Sequence, residues 1–482
     1  MKCDLNIRRH GRVHDIYDAP DTVLHFWKPE TIFSSLIIGG RRVPRSRDYY
    51  VKAFCRAAFV AIPALWPSIS VAQVGEELLT RPAVPSGFDR GRNIAVTERA
   101  RTDYDPLGID VRSFRVISAL ELGIGGTNNT YSEANNPRAA LFSYASPSVT
   151  AASLWSRHFL QFQAAGRFVR YIDQSPRNEN TWNLGLSSRI DLGSSLKIEG
   201  RLLRARSVEG FFSGDVEADI AALSRIDTYY GIVRGTYSLG RTRVILSADH
   251  SDDRYGSIRF QDGAERDQSG RDRGVSRLTA QLDYARTPSV SLFAQARIAR
   301  NDFVRPLAPA APERDSTGYR GLIGVNFDLA GRARGSIGAG YIIRDFDSPI
   351  YNGVKGLSVE ARIELFPDDL STYTIDVSRS IGDSSFGNGA PYFDSRFTLR
   401  LDREIRRNLI GNVSASYSVI EYQDLPSLGA EGYQFALGAR YLSTRRVRLD
   451  FAARYSDRST RSGTVGYRVG ELRGQFGIVL QR

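Results

Sequence analysis

Hydrophobic and polar residues alternate over long stretches in the last third of the chain. Three runs carry the pattern clearly: residues 357–365, 433–441 and 447–455. In each run every odd position is apolar or tyrosine, whereas the even positions are charged, polar or small. Successive side chains of a β-strand point to opposite faces. Each run therefore predicts a strand with one apolar face and one polar or charged face.

The length of these runs favours a membrane-spanning strand. A tilted strand needs about 9 to 11 residues to cross hydrocarbon, whereas strands of soluble proteins average about 5 or 6. From residue 113 onwards no apolar run is long enough for a spanning helix, so a membrane-embedded chain must cross as a β-barrel. Tyr433 and Tyr441 stand at the two ends of one run, where interfacial aromatic girdles lie.

Turn signals recur at a regular spacing and predict the number of strands. They stand near Trp155, Ser194, Gly240, Pro288, Gly331, Asp368, Arg407 and Thr444. Each interval holds two strands and one polar loop. The pattern predicts an all-β, transmembrane, antiparallel up-and-down barrel of about 18 strands (16–18), with eight short turns, nine long loops and both termini in the periplasm. A solenoid or propeller is the alternative, but its short strands do not carry such long two-sided faces.

Residues 1–112 differ from the rest of the chain. Lys52 and Arg56 precede a short apolar run, and Ser70 and Ala72 occupy the small-residue positions of a cleavage site. This pattern predicts a leader over 1–72, with a signal peptide at about 51–72. The part upstream of it lacks an apolar core, which suggests a mis-assigned start. Residues 73–112 are rich in Pro, Gly and charge and predict an irregular periplasmic segment, followed by the barrel over 113–482.

Catalytic chemistry is not predicted. Both cysteines, Cys3 and Cys55, lie in the leader, and only His158 and His250 of the histidines follow it. A disulfide scaffold, a zinc site and a cysteine nucleophile are thereby excluded from the mature chain. No catalytic residue, cofactor site or metal site is predicted, and we expect the protein not to be an enzyme. Arginines are spread along the chain and do not form one basic patch, so nucleic acid is not an expected partner.

One acidic group invites a metal-binding interpretation. His250, Asp252 and Asp253 are close together in the sequence, and divalent cations favour carboxylate oxygens. A solvated acidic loop is the simpler explanation, and the prediction of no metal site stands.

The polar faces of the strands are expected to line the lumen. The net charge is +12, of which the leader contributes +5, and the remaining excess is almost entirely arginine. Interleaved opposite charges rigidify a wall, while the arginine excess biases it towards anions. Arg396 and Arg406 are instead expected near strand ends, reaching lipid head groups. The candidate lumen-lining residues are Arg201, Arg297, Arg362, Arg400, Arg440, Arg448, Arg454, Glu360 and Asp450, with Lys197, Glu199, Gln295, Glu364 and Asp402 also inward.

Several short motifs resemble those of a known family. They include Tyr104–Ile109, Gly123–Tyr131, Gly340–Pro349 and Leu401–Leu409. Their order and spacing resemble the bacterial outer-membrane family beta-barrel porin 2, over almost all of residues 90–482. Asn128 stands where that family usually carries aspartate. The resemblance implies an outer-membrane barrel without catalytic residues, and relatives of this kind are often associated with exopolysaccharide or capsule export.

Together these observations predict an outer-membrane channel that assists export of an extracellular or capsular polysaccharide. A general diffusion porin for small solutes and a structural or adhesive barrel are the alternatives. The expected partners are outer-membrane lipid and lipopolysaccharide, the outer-membrane assembly machinery, and periplasmic polysaccharide-export components that contact residues 73–112.

Overall fold

The computed structural model describes residues 92–482, except 213–217, 219, 307–310, 385–389, 424–426 and 463–464. The predicted leader and residues 73–91 lie outside the described residues. Among the residues that are described, no helix is both long and apolar enough to cross a membrane.

Eighteen long antiparallel strands form a closed barrel, which confirms the predicted fold class. Each strand pairs with its neighbours in the chain, and the last strand pairs back with the first, from Ala119 opposite Gln481 to Thr127 opposite Arg473. Closure leaves every strand with two partners, which satisfies the backbone where no water is available. The strands are β1 (Phe114–Thr127), β2 (Ala140–Ser153), β3 (Phe159–Tyr171), β4 (Glu179–Leu192), β5 (Leu196–Val208), β6 (Arg225–Leu239), β7 (Thr242–Tyr255), β8 (Arg273–Ala285), β9 (Val290–Phe303), β10 (Ser316–Leu329), β11 (Ala333–Phe346), β12 (Val354–Leu365), β13 (Ser371–Asp383), β14 (Pro391–Arg406), β15 (Leu409–Tyr422), β16 (Leu428–Leu442), β17 (Val447–Ser462) and β18 (Val465–Gln481).

The short connections all lie at one end of the barrel, where β1 begins and β18 ends. We call this end the turn end. The short connections fall at the eight predicted positions. Gly240 and Gly331 adopt positive φ of 57° and 69° in two of these turns, a conformation that glycine tolerates best. The opposite end is called the loop end. In outer-membrane barrels the short turns are periplasmic and the longer loops are extracellular.

The loops are not all long, and that part of the expectation is wrong. The last two loop-end connections comprise only residues 423–427 and 463–464. The connection 463–464 is short because β17 and β18 continue for 16 and 17 residues, so that residues which would otherwise form a loop belong to the strands. A small second sheet, formed by Ile220–Ala222, Ile258–Phe260 and Glu265–Arg266, joins two of the longer loops.

The outer face of the barrel is apolar. Ile323 and Leu357 are 72% and 65% exposed, as is required of residues that contact lipid. Tyr433 and Tyr441 also face outward, at opposite ends of the same stretch of β16. At the turn end, Trp155 packs edge-on against Phe114, with ring centroids 5.7 Å apart. The alternation in the sequence therefore corresponds to a lipid-facing surface and a polar interior.

The N-terminal segment is more ordered than the sequence suggests. Residues Val96–Glu98 form a single 3-10 turn, and Ile109–Val111 form a short strand that pairs with the start of β1. Val96 is completely buried against Ile410 and Leu442, whose side chains point into the barrel. Over residues 92–112 these two three-residue elements add regular structure that the sequence pattern did not indicate.

The β13–β14 hairpin departs from the regular wall. β12 and β13 pair only from Glu360 opposite Ser378 to Leu365 opposite Tyr373, so the loop-end half of β12 has no pairing with β13. The ring of Phe393 on β14 approaches Gly356 of β12, where an added Cβ would lie 2.8 Å from the ring. The loop-end half of the hairpin therefore leaves the wall and leans over the interior.

Candidate functional site: the charged inner wall

The inner face of the wall carries the charged side chains. Strand residues alternate between the two faces, and the exposed apolar residues identify the outer one. Arg201, for example, is followed by Leu202, which is 61% exposed on the outside. By the same alternation all nine candidate lumen-lining residues stand on the inner face, as do Lys197, Glu199, Gln295, Glu364 and Asp402.

One group of candidate residues lies where β16 and β17 meet near the turn end. Arg440 and Arg448 share the carboxylate of Asp450, at 3.3 and 3.0 Å. Further along β17, Arg454 stands directly opposite Arg473 of β18. In the described structure neither of these two arginines has a carboxylate within 4 Å; Arg473 instead donates to the Tyr171 hydroxyl at 2.9 Å. The two guanidinium groups therefore stand side by side without a direct ion pair in the described structure, with Glu471 and Glu179 as the nearest carboxylates that act on them.

A second group spans β9 to β12. Glu360 accepts from the buried Arg320 at 2.8 Å, and Arg362 pairs with Glu364 at 3.1 Å. Arg297 lies opposite Arg320 on the neighbouring strand, and its Nε donates to the Thr279 hydroxyl at 3.1 Å. No ion pair to Arg297 exists among the described residues, so this group has an excess of positive charge.

The remaining candidates lie apart from these two groups. Arg400 pairs with Asp402 at 2.6 Å on β14. Arg201 is exposed to the interior on β5, opposite Ser187 and Ile232. The candidate residues therefore line the wall at several places and do not converge on one catalytic or binding centre.

Several inward ion pairs were missed by sequence reasoning. Arg277 pairs with Asp249 across β7 and β8 at 2.5 Å, and Arg243 bonds Asp283 through its Nε at 2.8 Å. The alternation within 273–283 could have identified two of these residues, because Arg277 and Asp283 both stand at odd positions and so on the same face of the strand.

The predicted position of Arg396 is wrong. Arg396 lies on the inner face and pairs with Asp394 at 3.1 Å, so it does not reach lipid head groups. The strand extends five residues beyond it at the loop end and ten at the turn end.

The acidic group in β7 is divided by the strand geometry. His250 and Asp252 face outward, and Asp252 pairs with Arg254 at 2.7 Å. Asp253 points inward, fully buried, and accepts from Thr228 at 2.8 Å. Over the part of the chain with described structure, no group of three or more His, Cys, Asp or Glu residues is suited to hold a metal ion.

The barrel architecture and its two-sided wall agree with the family to which the sequence matches. The model of the family described as "Putative beta-barrel porin 2" matches residues 101–482. The chain belongs to this family. It is accordingly a porin-like β-barrel of the bacterial outer membrane. Among curated protein sequences, none matches the chain.

Solved structures similar to this porin-family chain are outer-membrane proteins of low sequence identity. A copper transporter, OprC, is 12% identical with a TM-score of 0.42, covering 80% of this chain and 82% of its own. The outer membrane protein OpdK from Pseudomonas aeruginosa is 11% identical with a TM-score of 0.39, covering 76% and 99%. OccAB4 from Acinetobacter baumannii is 7% identical with a TM-score of 0.39, covering 80% and 100%.

The N-terminal segment of the porin-family barrel lies inside its turn end. Asn93 bonds Asp328 and the Leu329 carbonyl at 2.6 and 3.0 Å. The buried Arg334 binds Glu98 at 2.8 Å and Glu364 of the wall at 2.6 Å. Further contacts join the segment to strands nearer β18. The Val96 N–H donates to the Thr372 hydroxyl, and Arg101 forms an ion pair with Glu404. Arg445 donates to the Thr102 carbonyl and Gln481 to the Tyr104 carbonyl. The segment therefore occupies part of the periplasmic opening.

The loop end of the porin-family barrel is also narrowed from within. Phe211, in the connection after β5, is buried, and its carbonyl accepts from Arg458 on β17. From another side, Asp383 at the tip of the leaning β13–β14 hairpin forms an ion pair with Arg273 on β8. Both contacts join elements that are distant around the wall. These contacts place side chains inside the loop end of the barrel.

Proposed function

We propose that this protein is an outer-membrane channel that favours anions and assists export of an extracellular or capsular polysaccharide. The observation that carries the proposal is a set of inward arginines without a carboxylate partner among the described residues. Arg201, Arg297 and Arg454 are its members within the predicted lumen set. Arginine stays charged at all physiological pH values, so these side chains make the interior positive and attract anions.

The placement of the arginines strengthens the argument. Arg297 stands opposite Arg320, and Arg454 stands opposite Arg473. Like charges directly opposite on neighbouring strands are destabilising, so a wall that served only as packing would gain by pairing them with carboxylates. Guanidinium groups match the planar carboxylates of acidic sugars and bond them in bidentate fashion. An acidic, hydroxyl-rich polymer is a cargo with that chemistry.

The polysaccharide part of the proposal is tested in the native host. The coding region is deleted, and surface and released polysaccharide are quantified beside a complemented strain. Loss of polymer that returns on complementation is expected. Unchanged polymer, with other secretion intact, contradicts export and leaves a diffusion channel or an adhesive barrel.

The anion bias is tested on the purified protein. The wild type is expected to prefer chloride in planar bilayers under a KCl gradient. We expect the double variant R297Q/R454Q to lose part of that preference, because two positive charges that form no ion pair in the described structure leave the interior. The matched control is Arg300→Gln, which removes an arginine from the same strand but from the outer face, where it pairs with Asp302 and Asp347 at 2.7 Å. Equal reversal potentials in all three proteins contradict the assignment of these arginines.

A further inference from the structure

Three arginines lie close together at the loop end inside the barrel, and two of them bind the same aspartate. Arg344 of β11 binds Asp383 at 2.8 Å, and Arg273 of β8 binds the other oxygen of the same carboxylate. Arg314, in the connection between β9 and β10, is 1% exposed, and its guanidinium lies 4.2 Å above the Phe303 ring. Phe303 stands directly opposite Arg273 on the neighbouring strand, so Arg314 lies beside Arg273. Burial is the largest cause that lowers the pKa of Arg314.

The donors of this cluster exceed its acceptors. Arg344 uses its Nε for Ser316 at 2.8 Å, and Arg314 uses one Nη for the Gly270 carbonyl at 2.6 Å. Four buried nitrogens have no hydrogen-bond partner in the described structure: Nε of Arg273, Nε and Nη1 of Arg314, and Nη2 of Arg344. A buried N–H group without a partner costs free energy, and more so when the group is charged.

Positive charges in this cluster also outnumber negative charges. Asp383 is a single negative charge against three guanidinium groups. Asp253 stands opposite Arg273 on β7 but forms no ion pair among the described residues, since one of its oxygens accepts from Thr228 and the other has no partner. Nearby Arg271 is already neutralised by Glu209, which it binds through two bonds of 2.7 Å. The three arginines therefore retain net positive charge even if Asp253 is counted.

We infer that Arg273, Arg314 and Arg344 form a binding site for an oxyanion, with Asp383 as the internal counter-ion. Phosphate, sulfate and sugar carboxylates have the planar or tetrahedral oxygen groups that guanidinium forks bind. The arginines lie within the barrel mouth, so the anion is a solute or part of a saccharide and not a lipid head group. This inference depends on the proposed channel function in one respect, namely that the anion reaches the site through the barrel.

The leaning hairpin explains how the site is assembled. Asp383 reaches Arg273, five strands away around the wall, because β13 separates from β12 beyond Glu360. An incoming anion competes with Asp383 for Arg344 and Arg273. Removing the aspartate is therefore expected to strengthen anion binding, whereas removing an arginine is expected to weaken it.

The test uses the full-length protein in detergent and inorganic phosphate as the probe. Unfolding temperature is measured against phosphate concentration, with chloride replacing it at constant ionic strength, because a ligand that binds only the native state raises that temperature. We expect a saturable rise in the wild type. The apparent affinity should fall about 10-fold or more in Arg314→Gln and Arg344→Gln, as follows from losing a charged hydrogen-bonding group. Glucuronate, titrated in parallel, shows whether a sugar carboxylate is bound in the same site.

Two further variants make the outcome decisive. Asp383→Asn should bind phosphate more tightly than the wild type, and Arg300→Gln on the outer face should bind it equally. The inference is overturned if phosphate has no saturable effect on the unfolding temperature of the wild type, or if the arginine variants bind phosphate as tightly as the wild type. If an arginine variant does not fold, Asp383→Asn is sufficient on its own: phosphate binding that is unchanged or weaker in this variant overturns the inference. A barrel that binds phosphate but conducts no ions keeps this site and removes the proposed channel.

Discussion

Replacing Arg334 with alanine is expected to release the N-terminal segment from the turn end and to destabilise the barrel. Arg334 is 3% exposed and binds Glu364 on the wall, Glu98 in the segment and the Asn93 carbonyl. Its loss leaves the buried Glu364 without that cation. Removing one member of a buried pair costs about 3–5 kcal/mol when the other charge is left alone, but Glu364 keeps Arg362 at 3.1 Å. The free energy of unfolding, from urea titration in lipid vesicles, should therefore fall by up to about 3 kcal/mol.

Limited proteolysis measures the release of the segment separately. Residues 92–105 should be cleaved faster in Arg334→Ala than in the wild type. Arg332→Ala is the matched control, because Arg332 lies two residues away in the turn with an exposed side chain. Equal protection of the segment in both variants and the wild type would show that Arg334 does not hold it.

An arginine placed on the outer face of β16 is expected to impair membrane insertion. Phe435 lies at the middle of that strand with 54% of its surface exposed to the outside. A positive charge near the bilayer midplane costs about 2–4 kcal/mol in a barrel of this kind. Phe435→Arg should therefore reduce the free energy of unfolding in phospholipid vesicles by at least about 2 kcal/mol, as measured by urea titration.

The neighbouring residue provides the control. Gln434 precedes Phe435 and points inward, opposite Ser416 and Ser456. Gln434→Arg introduces the same charge one position away, into a polar interior, and should change the folding free energy by less than about 1 kcal/mol. Similar losses in the two variants would contradict the assignment of the two faces.

Much of the fold was predictable because a barrel wall repeats a simple local rule. Alternation fixes which face each side chain occupies, so Arg440, Arg448 and Asp450 could be placed on the inner face without coordinates. Turn residues were equally informative, since the glycines at 240 and 331 stand in tight turns with positive φ. The number of strands followed from the spacing of those turns.

Other features depend on contacts between distant parts of the chain, and sequence patterns do not encode them. Asn93 and Arg334 are 241 residues apart, yet they meet at the turn end. Asp383 ends a strand that alternation alone would place in the regular wall, but the hairpin leans inward and carries it to Arg273. Arg314 precedes a strand in a connecting segment, where no periodicity indicates its direction. Such positions are set by tertiary packing.

The most direct test of the account is the ion selectivity of the purified wild-type protein in planar bilayers. With a tenfold KCl gradient, the reversal potential reports which ion crosses more readily. We expect a conducting channel whose reversal potential has the sign of chloride preference, and a loss of that preference as the inward arginines are neutralised. A cation-selective channel, or a folded barrel that passes no current, would contradict it.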